Sequence, residues 1–265
     1  CDKAEWADQI SKLLKSEKIR TRLVANAFQY CQKHFNRSVA IKFWSDTIQH
    51  EQMTTSKRKA LFINVYFAPQ SIGGATRVVQ DQVLDFIANN PDADVTVLCC
   101  DKDHNIWTEF ESEELLFADA IPLDSHEWNG AKVVRLSLPP CSWAEHSSKK
   151  IEKFCENWYK EEKFDVIYCH CCQVLTASVL TPAIQQSIPY TVTVHDGWWI
   201  SPFQFLVNDN GEHFDHQDPT AHLDLENVSD SEIAEAYSRR VELMQIINHA
   251  QEVNIVSESF SRLYS

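Results

Sequence analysis

ALFINVYFAPQSIGGATRVV, residues 60–79, decides the fold. The apolar run from Ala60 to Ala68 has strand length and stops at Pro69, which suits a strand covered on both faces. A short loop leads to Gly73-Gly74. Apolar residues then recur at Val79, Val83, Phe86 and Ile87, the spacing of one helix face. A buried strand entering a helix through two glycines is how a doubly wound α/β sheet opens a ligand crevice. The chain has five glycines in 265 residues, and two of them stand here. Glycine admits φ > 0 and close approach of a ligand, while the first N–H groups of a helix favour an anion such as a diphosphate. A plain strand-to-helix turn is the blander reading of the same residues.

Outward from this stretch, strands and helices alternate. DVTVLCC (94–100), AKVVRLSL (131–138), FDVIYC (164–169), YTVTV (190–194) and VNIV (253–256) read as strands. Residues 103–130 read as irregular, with a solvated acidic patch at Glu109–Glu114. Helices are expected around Ile151, Phe154, Cys155 and Trp158, over Gln173–Ser187, and after Ser229. There Ser229 and Glu232 fit a capping box, and Ile233, Tyr237, Val241, Met244 and Ile247 supply the apolar side. The expected fold is α/β: a Rossmann-like, doubly wound, mostly parallel sheet with right-handed crossovers. An N-terminal helical appendage precedes it. Residues 1–51 carry three apolar stripes (Trp6, Ile10, Leu13, Leu14; Ile19, Leu23, Ala27, Tyr30; Ile41, Trp44, Ile48). Residues 52–59 form a polar linker, and 60–265 form the sheet domain.

Composition narrows the function. A hydrophobic fraction of 44% with eight Trp indicates a packed core. A net charge of −14 disfavours nucleic acid as a partner. No apolar run reaches the roughly 20 residues of a membrane span. The nine cysteines fall partly in adjacent pairs at strand ends, Cys99-Cys100 and Cys171-Cys172. That is unlike a secreted disulfide framework and fits a reducing, cytoplasmic setting. The chain opens on Cys1, without an initiator Met, and reads as a piece of a longer polypeptide.

In such a sheet the ligand crevice lies beyond the carboxyl ends of the strands. The residues there are Gly73, Gly74, Cys99, Cys100, His170, His195 and Asp196. His195-Asp196 closes an apolar strand and opens on Gly197, so two titratable groups face the crevice. A His that merely caps the sheet is the alternative. Trp198-Trp199 fits core packing or an aromatic wall for a sugar ring equally well. Cys169-His170-Cys171-Cys172, with His213, His216 and His222, invites a zinc reading, but four consecutive residues cannot all point at one ion. Residues 208–226 resemble a calcium loop without its terminal Glu.

Four segments resemble, in order and spacing, the N-terminal half of family 4 glycosyltransferases: PQSIGGATRVV, FDVIYCH, YTVTVHDGWW and VNIVSESFSRLY. These enzymes have the GT-B fold, two Rossmann-like domains across a cleft. The resemblance covers residues 60–265. It implies a retaining transfer of a sugar from a nucleotide-sugar donor to a glycan or lipid-linked acceptor, with no further cofactor and no metal. It implies that Gly73 and Gly74 line the cleft near the donor diphosphate, and that His195 sits near the transferred sugar with Asp196 beside it. Arg77, His170 and Trp198 are carried over as further binding residues. The family's donor-binding Glu pair lies in its C-terminal domain, so this chain reads as the acceptor-side half, inactive alone. A lipid-linked acceptor would place the work at the cytoplasmic face of a membrane. Residues 6–48 are similar to the helical tail that ends such enzymes, which suggests tandem transferases. A sugar-nucleotide epimerase of the same fold and a non-catalytic partner-binding module remain open.

The spacing of these cysteines and histidines is unlike that of a zinc site. Elemental analysis of the purified chain is expected to find no stoichiometric zinc; one tightly held ion per chain would refute it.

Overall fold

The computed structural model describes residues 15–18, 21–26, 57–70, 73–100, 121, 123–138, 141–208, 210–224 and 226–264. The chain divides into two units, Cys1–Thr55 and Ser56–Ser265. In the first, residues 21–26 are helical and Leu23, a member of the second expected stripe, is exposed. The rest of the three stripes lies almost wholly outside the described residues, as does the patch at Glu109–Glu114.

The second unit is one seven-stranded sheet. Its strands are β1 (Lys59–Ile63), β2 (Asp94–Cys100), β3 (Leu123–Trp128), β4 (Ala131–Leu136), β5 (Val166–Cys169), β6 (Tyr190–Val194) and β7 (Glu252–Ile255). Their spatial order is β3-β4-β2-β1-β5-β6-β7, and every pair is parallel except β3 with β4. Helix α1 (Gly73–Asn89) carries the chain from β1 to β2 on one side. Helix α2 (Lys149–Glu162) returns it across the sheet to β5. Short α3 (Thr181–Gln185) and long α4 (Asp230–His249) continue outward to β7, and α5 (Glu258–Ser261) follows. This is a Rossmann-like, doubly wound α/β fold.

The period of β1 shows how the two layers form. Phe62 stacks on Tyr168 at 4.8 Å between ring centroids and meets Phe86 of α1 edge-on at 5.5 Å. Leu61 and Ile63 point to the other face, into a cluster with Ile151, Cys155 and Tyr159 of α2 and Leu243 and Ile247 of α4. All five residues from Lys59 onward but the first are buried, as both-sided covering requires. The regular strand ends at Ile63, although the apolar run goes on to Ala68 and backbone hydrogen bonds to β2 continue as far as Val65. At this point Asn64 Nδ2 donates to the Tyr66 carbonyl at 2.6 Å, and its Oδ1 accepts from the Cys171 N–H at 3.1 Å.

Three expectations are corrected. The stretch taken as irregular contains β3, an antiparallel edge strand whose residues alternate exposed and half-buried. It turns into β4 through Asn129-Gly130, both at positive φ (47° and 89°), the requirement of a two-residue hairpin turn. The expected helix over Gln173–Ser187 is instead a turn, a 3-10 segment at Ala177–Val179, and α3. Val174 and Thr176 adopt positive φ, and Pro182, which has no N–H to donate, sits at the first turn of α3 and not within a longer helix. The third correction concerns α4. Its capping box forms as expected, Ser229 Oγ accepting from the Glu232 N–H and Glu232 Oε2 from the Ser229 N–H. Its buried face is Arg239, Leu243 and Ile247, whereas Tyr237 and Val241 are half exposed.

Arg239 explains that rotation. A charged residue inside a helix face is tolerated only when its donors are engaged. Arg239 Nη2 donates to the Trp198 carbonyl at 2.6 Å and Nε to the Ala144 carbonyl at 3.3 Å. Its guanidinium lies 5.2 Å from the centre of the Trp198 ring. Arg240 donates to the carbonyls of Ile200 and His216. The pair thus ties the loops after β4 and β6 to one helix. No helix among the described residues is long and apolar enough to cross a membrane.

The two faces of α4 should separate cleanly in unfolding experiments. Leu243→Ala removes a fully buried side chain and is expected to cost about 2–5 kcal/mol. Tyr237→Ala should stay within about 0.5 kcal/mol. Urea midpoints of the two variants test this; equal losses would mean that the buried face is assigned wrongly.

Candidate functional site

The winding reverses at β1. The chain first moves from β1 to β2, then comes back to β5 on β1's other side. Helices on opposite faces diverge there, and the gap beyond the carboxyl ends of β1 and β5 is where ligands bind in such sheets. Asn64 follows β1, His170 follows β5, and His195 follows β6.

The structure brings His170 and His195 together. Each is one residue beyond a strand whose last side chain (Cys169, Val194) enters the α2–α4 cluster, so each histidine projects toward the α1 side. Their rings stack at 5.3 Å with 27° between planes, and His170 Nδ1 lies 3.0 Å from His195 Nε2. His170 is buried, and its Nε2 lies 2.5 Å from Oε1 of Gln82 on α1. His195 is half-buried. Burial pushes the His195 imidazole down to about 4. Burial, then the neighbouring His195, holds His170 well below the usual histidine range. Both rings are neutral at pH 7.

Asp196 faces the other way. Its Oδ1 accepts from the Trp198 N–H at 3.0 Å and its Oδ2 from Gln173 Nε2 at 2.9 Å, while its carbonyl accepts from the Tyr264 hydroxyl at 2.8 Å. Burial raises its pKa, and the Trp198 and Gln173 hydrogen bonds oppose that rise. Its carboxylate caps the 3-10 turn Gly197–Trp199. Gly197 is required by space: a Cβ there would stand 2.6 Å from Leu206 Cδ2 and 3.0 Å from the Gln204 carbonyl. Trp198 lies in the core at 1% exposure, its Nε1 donating to the Trp143 carbonyl at 2.7 Å. It offers no face to a ligand.

Gly73, Gly74 and Arg77 are exposed on the first turn of α1, and Gly73 has φ +74°. No hydrogen bond among the described residues joins them to the histidine pair. Cys169, Cys171 and Cys172 are buried free thiols, and burial raises the last two, so they stay protonated at neutral pH. In the loop 208–226, Asp215, Asp218 and Asp224 accept from N–H groups two residues on. Those acids build turns. A cavity of about 360 Å³ lies between the loop after β4 and the first half of α4, with His146, His222, Arg239 and Arg240 in its wall. None of Gln82, His170 and His195 lines it.

Sequence reasoning missed Gln82, Asn64 and Gln173. Asn64 had a signal, as the one polar residue in the β1 run. Gln82 had none, because it lies beside the apolar stripe of α1 and gains meaning only when His170 arrives from 88 residues away.

The neutral histidines set a pH dependence of stability. The unfolded value is 6.5, and the folded value of His195 is depressed to about 4, so on acidification the unfolded chain takes up the proton first. The contribution is fully present above pH 6.5 and is lost as pH falls toward 4. The unfolding free-energy difference between wild type and His195→Asn should be flat above pH 7 and move against the wild type below 6.5. A pH-independent difference would show that His195 is not held neutral by the fold.

No family model and no curated protein matches the chain. Among solved structures it is similar to the alpha,alpha-trehalose 6-phosphate synthase from Burkholderia multivorans, with 6% identity and a TM-score of 0.40. The match covers 79% of this chain and 41% of that one, so the chain spans about two fifths of that protein's length. At that identity and TM-score the likeness assigns neither a family nor an activity.

Proposed function

We propose that this chain is the acceptor-side half of a retaining, nucleotide-sugar-dependent glycosyltransferase acting on a glycan or lipid-linked acceptor. The observation that carries the reading is the His170–His195 pair at the switch point, on the same side of the sheet as the helix that opens at Gly73-Gly74. The ordered segments that resemble family 4 glycosyltransferases supply the chemistry. The linker-and-tail reading of residues 1–59 belongs to the same proposal, as the end of a preceding transferase.

In this reading α1 directs its first N–H groups and positive dipole end at the leaving diphosphate. Gly73 turns into the helix at φ +74°, a backbone conformation that residues with a side chain rarely adopt. His195 stands at the sugar being transferred, as a neutral ring that hydrogen-bonds a hydroxyl. His170 holds that ring in place. Asp196 contributes by fixing the turn after β6, since both its carboxylate oxygens are engaged within the fold. Catalysis then comes from positioning and from electrostatic stabilisation of the departing nucleotide, not from a proton-abstracting residue of this domain.

The test is His195→Ala in the full-length polypeptide, assayed for sugar transfer with a panel of UDP- and GDP-sugars. Turnover should fall on the order of 10²-fold or more, mainly in kcat, with the melting temperature little changed. Near-normal turnover in a folded His195→Ala protein would make this histidine a cap of the sheet.

A further inference from the structure

Gln82, His170 and His195 form one chain of hydrogen bonds, and the chain has a direction. A neutral imidazole has one donor and one acceptor nitrogen, and a hydrogen bond at one nitrogen dictates the role of the other. Gln82 presents its amide oxygen to His170 Nε2 at 2.5 Å. An oxygen only accepts, so His170 Nε2 carries the proton and His170 Nδ1 is bare. His195 Nε2, 3.0 Å from that bare nitrogen, must then donate. His195 Nδ1 is left as an acceptor, and no described residue engages it. The two rings lie 27° apart in plane with centroids 5.3 Å apart, so the hydrogen bond between them runs close to both ring planes.

We propose that Gln82 is a positioning residue: through His170 it fixes His195 as the Nε2–H tautomer, so that His195 meets its ligand as a hydrogen-bond acceptor. The ligand group chosen by such a ring is a hydroxyl, which donates. An ionised phosphodiester oxygen, which carries no proton and only accepts, is refused. The choice of amide at position 82 follows from the same logic. A carboxylate there would draw a second proton onto His170, giving it two donor nitrogens and reversing the bond to His195. An amide oxygen accepts without adding charge, which suits one buried and one half-buried neutral ring. The tautomer follows from the Gln82 amide turning its oxygen, and not its nitrogen, to His170; its meaning as a selector of hydroxyls rests on the proposed role of His195 at the sugar.

Nitrogen NMR of the full 265-residue chain labelled with ¹⁵N-histidine reads the tautomer without any substrate. At pH 7.5 the wild type should show His195 with a pyrrole-type Nε2 and a pyridine-type Nδ1, and His170 likewise. A pyrrole-type Nδ1 on His195 would overturn the proposal, because it means that the chain runs the other way. Gln82→Met keeps the length of the side chain and removes the acceptor. It should collapse the separation between the two His195 nitrogen shifts, and unchanged shifts in that variant would remove Gln82 from the role. If Gln82→Met fails to fold, the wild-type spectrum still decides the direction. Dimethyl phosphate, a diester with no P–OH, added to the wild type should leave His195 Nδ1 pyridine-type; its conversion to the protonated type would refute acceptor polarity. Sugar-transfer activity enters none of these readouts, so they stand or fall apart from the glycosyltransferase reading.

Discussion

The structure depends on β1 being covered from every side. It has a parallel neighbour at each edge, an aromatic face toward α1 and an aliphatic face toward α2 and α4. A strand so placed must be apolar throughout, and it forces the chain to leave by one face of the sheet and return by the other. The gap at its carboxyl end is a by-product of that winding, and Asn64 bridges part of it by accepting from the Cys171 N–H. Site and core therefore have one origin. The residues that close the strands on the α2–α4 side place His170 and His195 on the α1 side.

The fold was legible because β1, β2, β5 and β6 are buried on both faces and write themselves as apolar runs. β3 was not legible in that way: as an edge strand it reads LDSHEW, with no apolar run to find. Its one signal was the Asn129-Gly130 pair, which is local turn chemistry and owes nothing to hydrophobicity. The helix face of α4 failed for a different reason. Periodicity assigns charge to the outside, and Arg239 is inside because backbone carbonyls from two distant loops converge on it. Tertiary contacts of that kind leave no trace in spacing.

The site was half legible. Strand-end position pointed to His170 and His195, which meet, and to Asp196, which turns inward to Trp198 and Gln173. The same position cannot say which way a side chain projects; that depends on where the last strand residue falls in the pleat, and a one-residue shift exchanges the faces. Trp198 illustrates the limit. Its neighbourhood suggested a surface for a ring, whereas Arg239 and the Trp143 carbonyl hold it in the core.

The peptide unit between Asp196 and Gly197 is gripped at both poles. Its carbonyl accepts from the Tyr264 hydroxyl at 2.8 Å, and its N–H donates to the Gln204 carbonyl at 2.7 Å. A planar amide held at both ends cannot flip without breaking two hydrogen bonds together. Glycine-containing turns ordinarily permit such a crankshaft rotation, and here it is locked. His195 is thus mounted on a doubly held bracket: the segment after β7 and the loop after β6 both hydrogen-bond the one peptide plane that follows the histidine.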